Sequence, residues 1–486
     1  METVGKRTHV ILVTSPGIGH LIPLLELGLR LVDQHGLQVT LFTVAVEAAS
    51  VHSKLESLLC DTNDLLHVEV VQPENLDAKV PPEADLVTRI GVAMREAEPI
   101  VRSRIEGMEN RPIALIIDLF GTNYYTMADE LRMRKYVFIT TSAWALAYFV
   151  YAHVKLSHGQ IESLDSIDVI GCAPVRTADL SEDGHPSSPY FSGFAEHGSM
   201  TAAADGILVN SWPALEPDTL KAFEDADLLG SVVKGHVYPI GPVVREPRMS
   251  QLDGELRQWL DRQPSESVLF ISFGSGGALS DEQTRELASG LEASEHRFVW
   301  VLRPPASKTT SNFYFNAEGQ NLDGPSAYLP DGFLTRIQGR GLVVPNWAPQ
   351  TEILAHPSIR GFLTHCGWNS ILESVVSGVP MIAWPLYSEQ KMNATMLSEH
   401  LGIGVGSRKR PDEGVIGREE VEKMVRIVME DGEGGAGFRG RAKELKVSAA
   451  EAVDKAGNGS SSYRSLREFV QVLRDGNVVE NTRRIS

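Results

Sequence analysis

A glycine-rich turn carrying a histidine follows the first apolar segment of the sequence. Residues 15–23 read Ser-Pro-Gly-Ile-Gly-His-Leu-Ile-Pro, directly after His9–Thr14, and a helical pattern follows them. The two glycines permit a tight turn and a close backbone approach to a ligand. A histidine at the amino end of a helix lies in positive electrostatic potential, which favours the neutral ring and leaves it available as a base. His20 is therefore a candidate general base, and the alternative is a histidine that only bonds the turn.

A single acidic residue ends another apolar segment. Asp118 follows Ile113–Ile117, and no other charged residue stands beside it. In open α/β sheets, ligands bind at the carboxyl ends of the strands. If the strands before His20 and Asp118 are neighbours, the carboxylate can fix the imidazole tautomer and stabilise its protonated form, as in a hydrolase triad. The alternative is that Asp118 caps a helix.

A second glycine-rich loop, in Phe270–Gly277, ends a predicted strand further along the chain. Its exposed backbone amides could bind phosphate. Ser280 and Gln283 then fit a capping box at the start of a helix. The lysine of a P-loop is absent, which argues against phosphoryl transfer from ATP.

Three short motifs lie between residues 347 and 390. They are Trp-Ala-Pro-Gln at 347–350, His-Cys-Gly-Trp-Asn-Ser-Ile-Leu-Glu at 365–373 and Glu-Gln at 389–390. The second motif ends a predicted strand and opens a helix, whose first amides can bind an anion. Ser370 and Glu373 also fit a capping box, which is the alternative for that pair.

In these motifs the chain resembles the plant family 1 UDP-glycosyltransferases. The resemblance extends over almost the whole chain, through residues 15–23, the context of Asp118, the strand end Val-Asn-Ser-Trp, the segment Tyr-Pro-Ile-Gly-Pro and the loop Ser-Phe-Gly-Ser-Gly-Gly. The chain is most similar to the arbutin-synthase-like (hydroquinone glucosyltransferase) group. The resemblance implies an α/β GT-B fold, in which two Rossmann-like doubly wound domains face each other across a cleft.

The resemblance also implies a UDP-sugar donor, held mainly by the second domain. Contacts to uracil and ribose are expected from Trp347, Ala348, Gln350 and Glu373. Contacts to the diphosphate are expected from Ser275, His365, Asn369 and Ser370. Contacts to the sugar are expected from Thr141, Trp368, Glu389 and Gln390. Ser15 completes the expected donor set, and the terminal glutamine of the last motif favours UDP-glucose.

The mechanism implied by the resemblance is a single displacement with inversion. His20 would remove the proton of the acceptor, and Asp118 would stabilise the imidazolium. Helix amides and His365 would stabilise the leaving diphosphate, so neither a metal nor a permanently bound cofactor is expected. The expected acceptor is a simple phenol, a phenylpropanoid or a flavonoid, with Leu119, Phe120 and Trp144 as candidate contacts.

Three alternatives stay open at the level of the sequence. Asn123 stands where the arbutin-synthase-like group usually has aspartate, and Ser142-Ala-Trp replaces another apolar sequence, so a flavonoid C-glucosyltransferase using the same site is one alternative. A non-catalytic UDP-sugar-binding protein is another. An NAD-dependent oxidoreductase is disfavoured because Ile22 occupies the place of the third glycine of the dinucleotide motif. Asp225-Ala-Asp also matches the motif of metal-dependent glycosyltransferases, but the charged stretch Leu220–Leu229 favours a solvent-exposed helix face.

Apolar β-type segments alternate with helical patterns along the chain, which is typical of parallel α/β sheets. The predicted strands are His9–Thr14, Gln38–Val44, Val68–Val71, Ile113–Ile117, Tyr136–Thr140, Ile207–Asn210, Val268–Ser272, Phe298–Leu302, Leu342–Pro345, Gly361–Leu363 and Met381–Trp384. We therefore expect an acceptor-binding domain at residues 1–240, a linker at 241–255 and a donor-binding domain at 256–464. A helix and tail at 465–486 are expected to pack back on the first domain.

Composition limits the classes of partner. The 486 residues carry a formal net charge of −18, which argues against binding to nucleic acid or to an anionic membrane. Three widely spaced cysteines give neither a disulfide framework nor a zinc site. No apolar run is long enough for a signal peptide or a membrane span, so we expect a monomeric cytoplasmic protein whose partners are the UDP-sugar and the small phenolic acceptor.

Overall fold

The computed structural model describes residues 7–46, 51, 55, 64–80, 84, 86–157, 165–252, 254–305, 324–455 and 460–483. The chain divides into two compact units. Unit 1 comprises Met1–Pro174, Asp183–Val243 and Glu451–Ser486, and unit 2 comprises Val175–Glu182 and Val244–Ala450. Unit 1 is therefore built from three separate stretches of the sequence.

The strands are β1 His9–Thr14, β2 Gln38–Val44, β3 Leu66–Val71, β4 Ala114–Ile117, β5 Arg134–Ile139, β6 Ser166–Ile167, β7 Val175–Arg176, β8 Gly206–Val209, β9 His236–Pro239, β10 Val268–Ser272, β11 Arg297–Leu302, β12 Gly341–Pro345, β13 Ile359–Thr364, β14 Met381–Ala383 and β15 Gly404–Gly406. Each predicted strand is confirmed, with ends that differ by no more than two residues.

The helices are α1 Ile18–His35, α2 Leu76–Lys79, α3 Leu86–Glu106, α4 Tyr125–Glu130, α5 Ala143–Ser157, α6 Phe191–Ala202, α7 Pro217–Glu224, α8 Gly254–Asp261, α9 Asp281–Ser294, α10 Phe333–Arg336, α11 Gln350–Leu354, α12 Trp368–Ser377, α13 Gln390–Thr395, α14 Arg418–Met429, α15 Glu433–Val453 and α16 Ser461–Arg483. Short 3-10 turns join several of them, and a π-helical turn, Met396–His400, follows α13.

The sheet of unit 1 is wholly parallel, in the order β3-β2-β1-β4-β5-β8-β9. Its central strands are runs of valine, isoleucine and leucine buried on both faces, as expected of a parallel sheet covered by helices. The strand order reverses between β1 and β4, where Val13 lies opposite Ile117. This switch point is the place where an open α/β sheet binds its ligand.

Helices α1 and α16 complete the core of unit 1. Leu24 and Leu31 of α1 pack in the same apolar cluster as Phe469 of α16. The ring of Phe469 contacts Tyr136 of β5 and Tyr238 of β9 edge to face, with centroids 4.9 and 5.5 Å apart. A helix late in the sequence thus covers strands formed more than 200 residues earlier.

The sheet of unit 2 is also parallel, in the order β12-β11-β10-β13-β14-β15. Its order reverses between β10 and β13, where Ser272 lies opposite Thr364. Helices α9 and α14 bury Leu287 and Val425 in the core of this unit. Each unit therefore has one switch point, and each switch point carries residues singled out in the sequence.

Four strands were not predicted: the short pair β6 and β7, and the edge strands β9 and β15. β9 and β15 are the last strands of their sheets. Pro239 ends β9, and two of the three residues of β15 are glycines. Both residue types weaken a strand pattern and are tolerated at sheet edges. The sequence therefore lacks the apolar run that identifies the central strands.

Two local predictions were partly wrong. The predicted helical stretch Leu220–Leu229 ends at Glu224, because Asp225 is extended and its carboxylate accepts the amide of Asp227 at 2.9 Å. Both aspartates are exposed, as predicted. Ser280 does accept the amide of Gln283 at 3.1 Å, but the side chain of Gln283 bonds the backbone of Ile416 instead of completing a capping box.

Within the described ranges, no helix is long and apolar enough to cross a membrane.

Candidate functional site

His20 and Asp118 lie together at the switch point of unit 1. Helix α1 begins after Gly17, whose φ of 120° makes the sharp turn, and His20 is the third residue of the helix. Its Nδ1 lies 3.3 Å from Oδ2 of Asp118. The carboxylate is fully buried, while the imidazole is 15% exposed. The arrangement leaves Nε2 as the second ring nitrogen, free to act on a proton outside the pair.

Backbone and side-chain donors hold the Asp118 carboxylate. Oδ2 accepts the amide of Ser15 at 2.7 Å and its hydroxyl at 2.6 Å, and Oδ1 accepts the amide of Phe120 at 3.0 Å. The helical turn that follows begins after Gly121 without a side-chain cap, so the interpretation of Asp118 as a helix cap was wrong. Ser15, predicted to contact the donor, is fully buried, and its hydroxyl donates a hydrogen bond to Asp118.

The candidate acceptor residues have different surroundings. Leu119 and Phe120 are partly exposed, and the ring of Phe120 lies 5.5 Å from the ring of His20. Trp144 is buried, and its indole N–H donates to the carbonyl of Ala173 at 2.9 Å. Asn123 is exposed and its amide donates to a backbone carbonyl of α3. Phe120 therefore lies beside the candidate base.

The loop between β5 and α5 carries Thr141. The Thr141 Oγ1 is buried and has no hydrogen-bond partner in the part of the chain that the structure describes. The first two backbone amides of α5, those of Ala143 and Trp144, donate hydrogen bonds to the buried carboxylate of Glu216, each at 2.9 Å. Glu216 thus fixes the start of α5 beside Thr141.

His365 lies at the switch point of unit 2, just after β13. Two glycines make room for its ring, since a Cβ on Gly274 or on Gly367 would come within 2.5 Å of it. Burial and the nearby Arg303 guanidinium lower the pKa of His365 to about 4, so the ring is neutral near pH 7. Its Nδ1 is buried without a hydrogen-bond partner among the described residues. The ring can therefore donate or accept one hydrogen bond.

Gln350 joins α11 to α12. Its Nε2 donates to Oγ of Ser370 at 2.8 Å and to Oε2 of Glu373 at 2.6 Å. The capping-box interpretation of Ser370 and Glu373 was wrong, because α12 starts after Gly367 with no side-chain cap. Burial raises the pKa of Glu373 to about 7, opposed by the bond from Gln350 and aided by the charge of Glu352.

Trp347 is exposed beside this cluster. Its side chain is 48% exposed, whereas Ala348 is buried. Asn346 precedes it with a φ of 63°, a left-handed conformation that turns the chain out of β12. An exposed indole on a tight turn offers a flat apolar face, which suits stacking against an aromatic base.

The remaining predicted donor residues divide by burial. Trp368 and Gln390 are buried, and Oε1 of Gln390 accepts the amides of Leu386 and Tyr387 at 2.9 and 3.1 Å. Glu389 is partly exposed and accepts the hydroxyl of Ser388 at 2.6 Å. The predicted residues Ser275 and Asn369 lie on the loop after β10 and in the first turn of α12.

Comparison with known proteins decides the family. Residues 246–433 match the family model described as UDP-glucoronosyl and UDP-glucosyl transferase. The chain is 44% identical to anthocyanidin 3-O-glucosyltransferase 5 of Manihot esculenta over 95% of each chain. The chain belongs to the plant family 1 UDP-glycosyltransferases.

Two further relatives support this conclusion. Hydroquinone glucosyltransferase of Rauvolfia serpentina is 41% identical, with 94% of this chain and 97% of the relative covered. The crystal structure of TcCGT1 in complex with UDP matches with a TM-score of 0.89 and 42% identity, over 96% of this chain and 99% of that chain. The glycosyltransferase described here therefore has the GT-B fold, which confirms the predicted fold class.

Sequence reasoning missed Arg303 in this glycosyltransferase. Arg303 follows β11 and is partly buried, with Nε donating to the carbonyl of Asn346 at 3.1 Å and Nη1 donating to the carbonyl of Ser275. Arg360 is the only arginine or lysine between positions 347 and 390. It is the second residue of β13, at the end of the strand away from His365, and it pairs with Asp431. The sequence did contain one signal. The arginine comes directly after a predicted strand, β11, and a glycine-rich loop follows the preceding predicted strand, β10.

The described residues of this glycosyltransferase include no group of three or more histidine, cysteine, aspartate or glutamate side chains placed to hold a metal ion. Asp225 and Asp227 are exposed in a turn after α7.

Proposed function

We propose that this chain is an inverting, UDP-glucose-dependent glucosyltransferase that acts on small phenolic molecules. The observation that carries the proposal is the pair formed by His20 and the buried Asp118 at the switch point of unit 1. Names of the relatives support the substrate class, since they describe glucosyltransferases of anthocyanidin and of hydroquinone. The donor is assigned to unit 2 and the base to unit 1.

The proposed reaction is one displacement at the anomeric carbon. Nε2 of His20 takes the proton of the acceptor hydroxyl while Nδ1 stays directed at Asp118. The acceptor oxygen forms a bond to the anomeric carbon as the bond from that carbon to the β-phosphate oxygen breaks. An α-linked donor gives a β-glucoside and UDP, and the imidazolium then returns its proton to solvent.

The proposed donor site stabilises the leaving UDP without a lysine cluster. The positive amino end of α12, which begins after Gly367, and the neutral ring of His365 are proposed to bind the diphosphate. Trp347 supplies a face for uracil, and Gln350 with Glu373 supplies partners for the ribose hydroxyls. Thr141, Trp368, Glu389 and Gln390 are proposed for the sugar.

The test is turnover of UDP-glucose with a panel of phenols, followed by UDP release and by mass spectrometry of the product. Wild-type protein should form a β-glucoside. His20→Ala should lower kcat/KM by about 10²–10⁴, the usual contribution of a positioned general base. Asp118→Asn should lower it in the same direction. His67→Ala changes an exposed histidine of β3 and serves as the matched control.

Each negative result identifies a different error. Full turnover by His20→Ala would remove the proposed base. UDP-glucose binding without turnover across the panel would favour a non-catalytic binding protein. A product that survives acid hydrolysis would assign the linkage to carbon, in which case the phenol ring attacks after the same pair has deprotonated its hydroxyl.

A further inference from the structure

We propose that Arg303 is a positioning residue of the donor site, which ties the glycine-rich loop after β10 to the turn that presents Trp347. This inference rests on the proposed function, because it takes Trp347 and Ser275 as contacts of the nucleotide. It adds a residue that lies outside every motif singled out in the sequence.

The contacts of Arg303 reach two loops at once. Nη1 donates to the carbonyl of Ser275, in the glycine-rich loop, and Nε donates to the carbonyl of Asn346 at 3.1 Å. The amide of Asn346 in turn donates to the carbonyl of Leu302, the residue before Arg303, at 2.9 Å. The Arg303 side chain therefore bonds the carbonyl of Asn346, while the carbonyl of the residue before Arg303 accepts a hydrogen bond from the amide of Asn346.

The turn at Asn346 needs such support. Its φ of 63° is uncommon for a residue other than glycine. Trp347 is nearly half exposed, so packing alone restrains its ring less than it would restrain a buried indole. Because a stacking face must be held in place before the base arrives, restraint of this turn lowers the entropic cost of binding.

Arginine is suited to this role by its shape as well as its charge. The guanidinium is a planar fork of several donors, so it can bond two carbonyls that lie in different directions. A lysine would keep the charge but presents it as a point on a flexible stem. Substitution of lysine therefore separates the effect of geometry from that of charge.

A different role for Arg303 would be a direct charge on the diphosphate, and binding of uridine distinguishes the two. Uridine has the base and the ribose but no phosphate. Loss of the tie should weaken uridine and UDP by a similar factor. Loss of a charge on the diphosphate should weaken UDP and leave uridine unchanged.

The experiment measures uridine and UDP affinity by calorimetry for wild type, Arg303→Lys and Arg303→Gln. The matched control is Arg285→Lys, an exposed arginine of α9 in the same unit. Both Arg303 variants should bind uridine and UDP on the order of tenfold more weakly, the size expected for hydrogen bonds from a charged donor. Hydrogen exchange of the amides of Asn346, Trp347 and Ala348 should become faster at an unchanged Tm. Arg285→Lys should match wild type in every measurement.

Several outcomes would overturn the assignment. Uridine affinity that survives in both Arg303 variants, with or without a loss of UDP affinity, contradicts a positioning role. Failure of both variants to fold would also contradict it, because Arg303 would then serve the whole unit and not this turn. Wild-type protein that binds no UDP would contradict the proposed function itself. If wild type binds UDP and the Arg303 variants bind UDP and uridine equally well, only the role of Arg303 is contradicted.

Discussion

Burial displaces the pKa values of two residues of the candidate donor site in opposite directions. The pKa of His365 falls to about 4 and that of Glu373 rises to about 7. Both displacements have the same main cause, because removal from water disfavours the charged form of either group. Near neutral pH the ring of His365 is uncharged and Glu373 is close to half protonated. Such a site offers hydrogen bonds more than charge.

The raised pKa of Glu373 predicts a pH-dependent contribution to stability. The folded state holds the proton of Glu373 more tightly than the unfolded chain does, so this contribution falls as the pH rises from about 4.5 to about 7. The measurement is the free energy of unfolding in urea. The value for wild type minus the value for Glu373→Gln should decrease by about 1–3 kcal/mol as the pH rises across this range. Glu282→Gln, at an exposed glutamate of α9, should show no such trend. A difference that is independent of pH would contradict the prediction.

At the scale of elements, the start of α5 depends on a residue far along the chain. The carboxylate of Glu216 accepts two amides of α5 and, at 2.5 Å, the hydroxyl of Ser211. Burial raises the pKa of Glu216, opposed by these three hydrogen bonds. The first amides of the helix are thus bonded by a residue that lies about 70 residues further along the chain.

Removal of this acceptor should destabilise the fold. Glu216→Ala leaves two buried amides and a hydroxyl without their acceptor, so the free energy of unfolding should fall by about 2–4 kcal/mol. Glu216→Gln keeps one carbonyl oxygen and should cost less. The measurement is urea denaturation followed by circular dichroism, with the exposed Asp218→Asn as control. Equal stability of Glu216→Ala and wild type would show that water replaces the carboxylate.

The predictability of each element follows from how local its signal is. The central strand β1 was predicted to the residue, because six consecutive buried residues make an unmistakable apolar run. The edge strand β15 was missed, because Gly404 and Gly406 carry no such signal. The end of α7 was placed too late, because the bond between Asp225 and the amide of Asp227 competes with the helix in a way that a charge pattern does not reveal.

The same rule applies to the candidate site. His20 and Asp118 could be paired in advance, because both follow strands that flank a switch point. The partner of Ser370 and Glu373 could not be predicted in this way. Gln350 bonds both residues from another helix, whereas the local sequence pattern was typical of a capping box. The position of Arg303 directly after β11 was visible in the sequence, but its two carbonyl partners are 28 and 43 residues away and could not be read from it.

At the scale of the whole molecule, the core of unit 1 combines distant parts of the chain. Phe469 of α16 packs on Tyr136 and Tyr238, and the hydroxyl of Ser462 donates to the carbonyl of Gly241. Between these two parts of unit 1 lie Val244–Ala450 of unit 2. The stability of unit 1 therefore depends on residues that follow unit 2 in the sequence.

Phe469→Ala tests this dependence. Loss of a fully buried ring should lower the free energy of unfolding by about 3–5 kcal/mol, measured by denaturation with urea. Gln471→Ala, at an exposed position of the same helix, should have little effect. A small loss for Phe469→Ala would mean that the tyrosines close over the space left by the ring.

The late position of α16 also sets an order of events during synthesis. When β9 leaves the ribosome, the surface formed by Tyr136 and Tyr238 has no cover, and the roughly 200 residues that precede α16 have still to be made. At about 5–20 residues per second this interval is on the order of 10–40 s. During that time the nascent chain exposes the apolar surface that Phe469 of α16 later covers, so chaperone demand should be greatest before translation reaches Ser461.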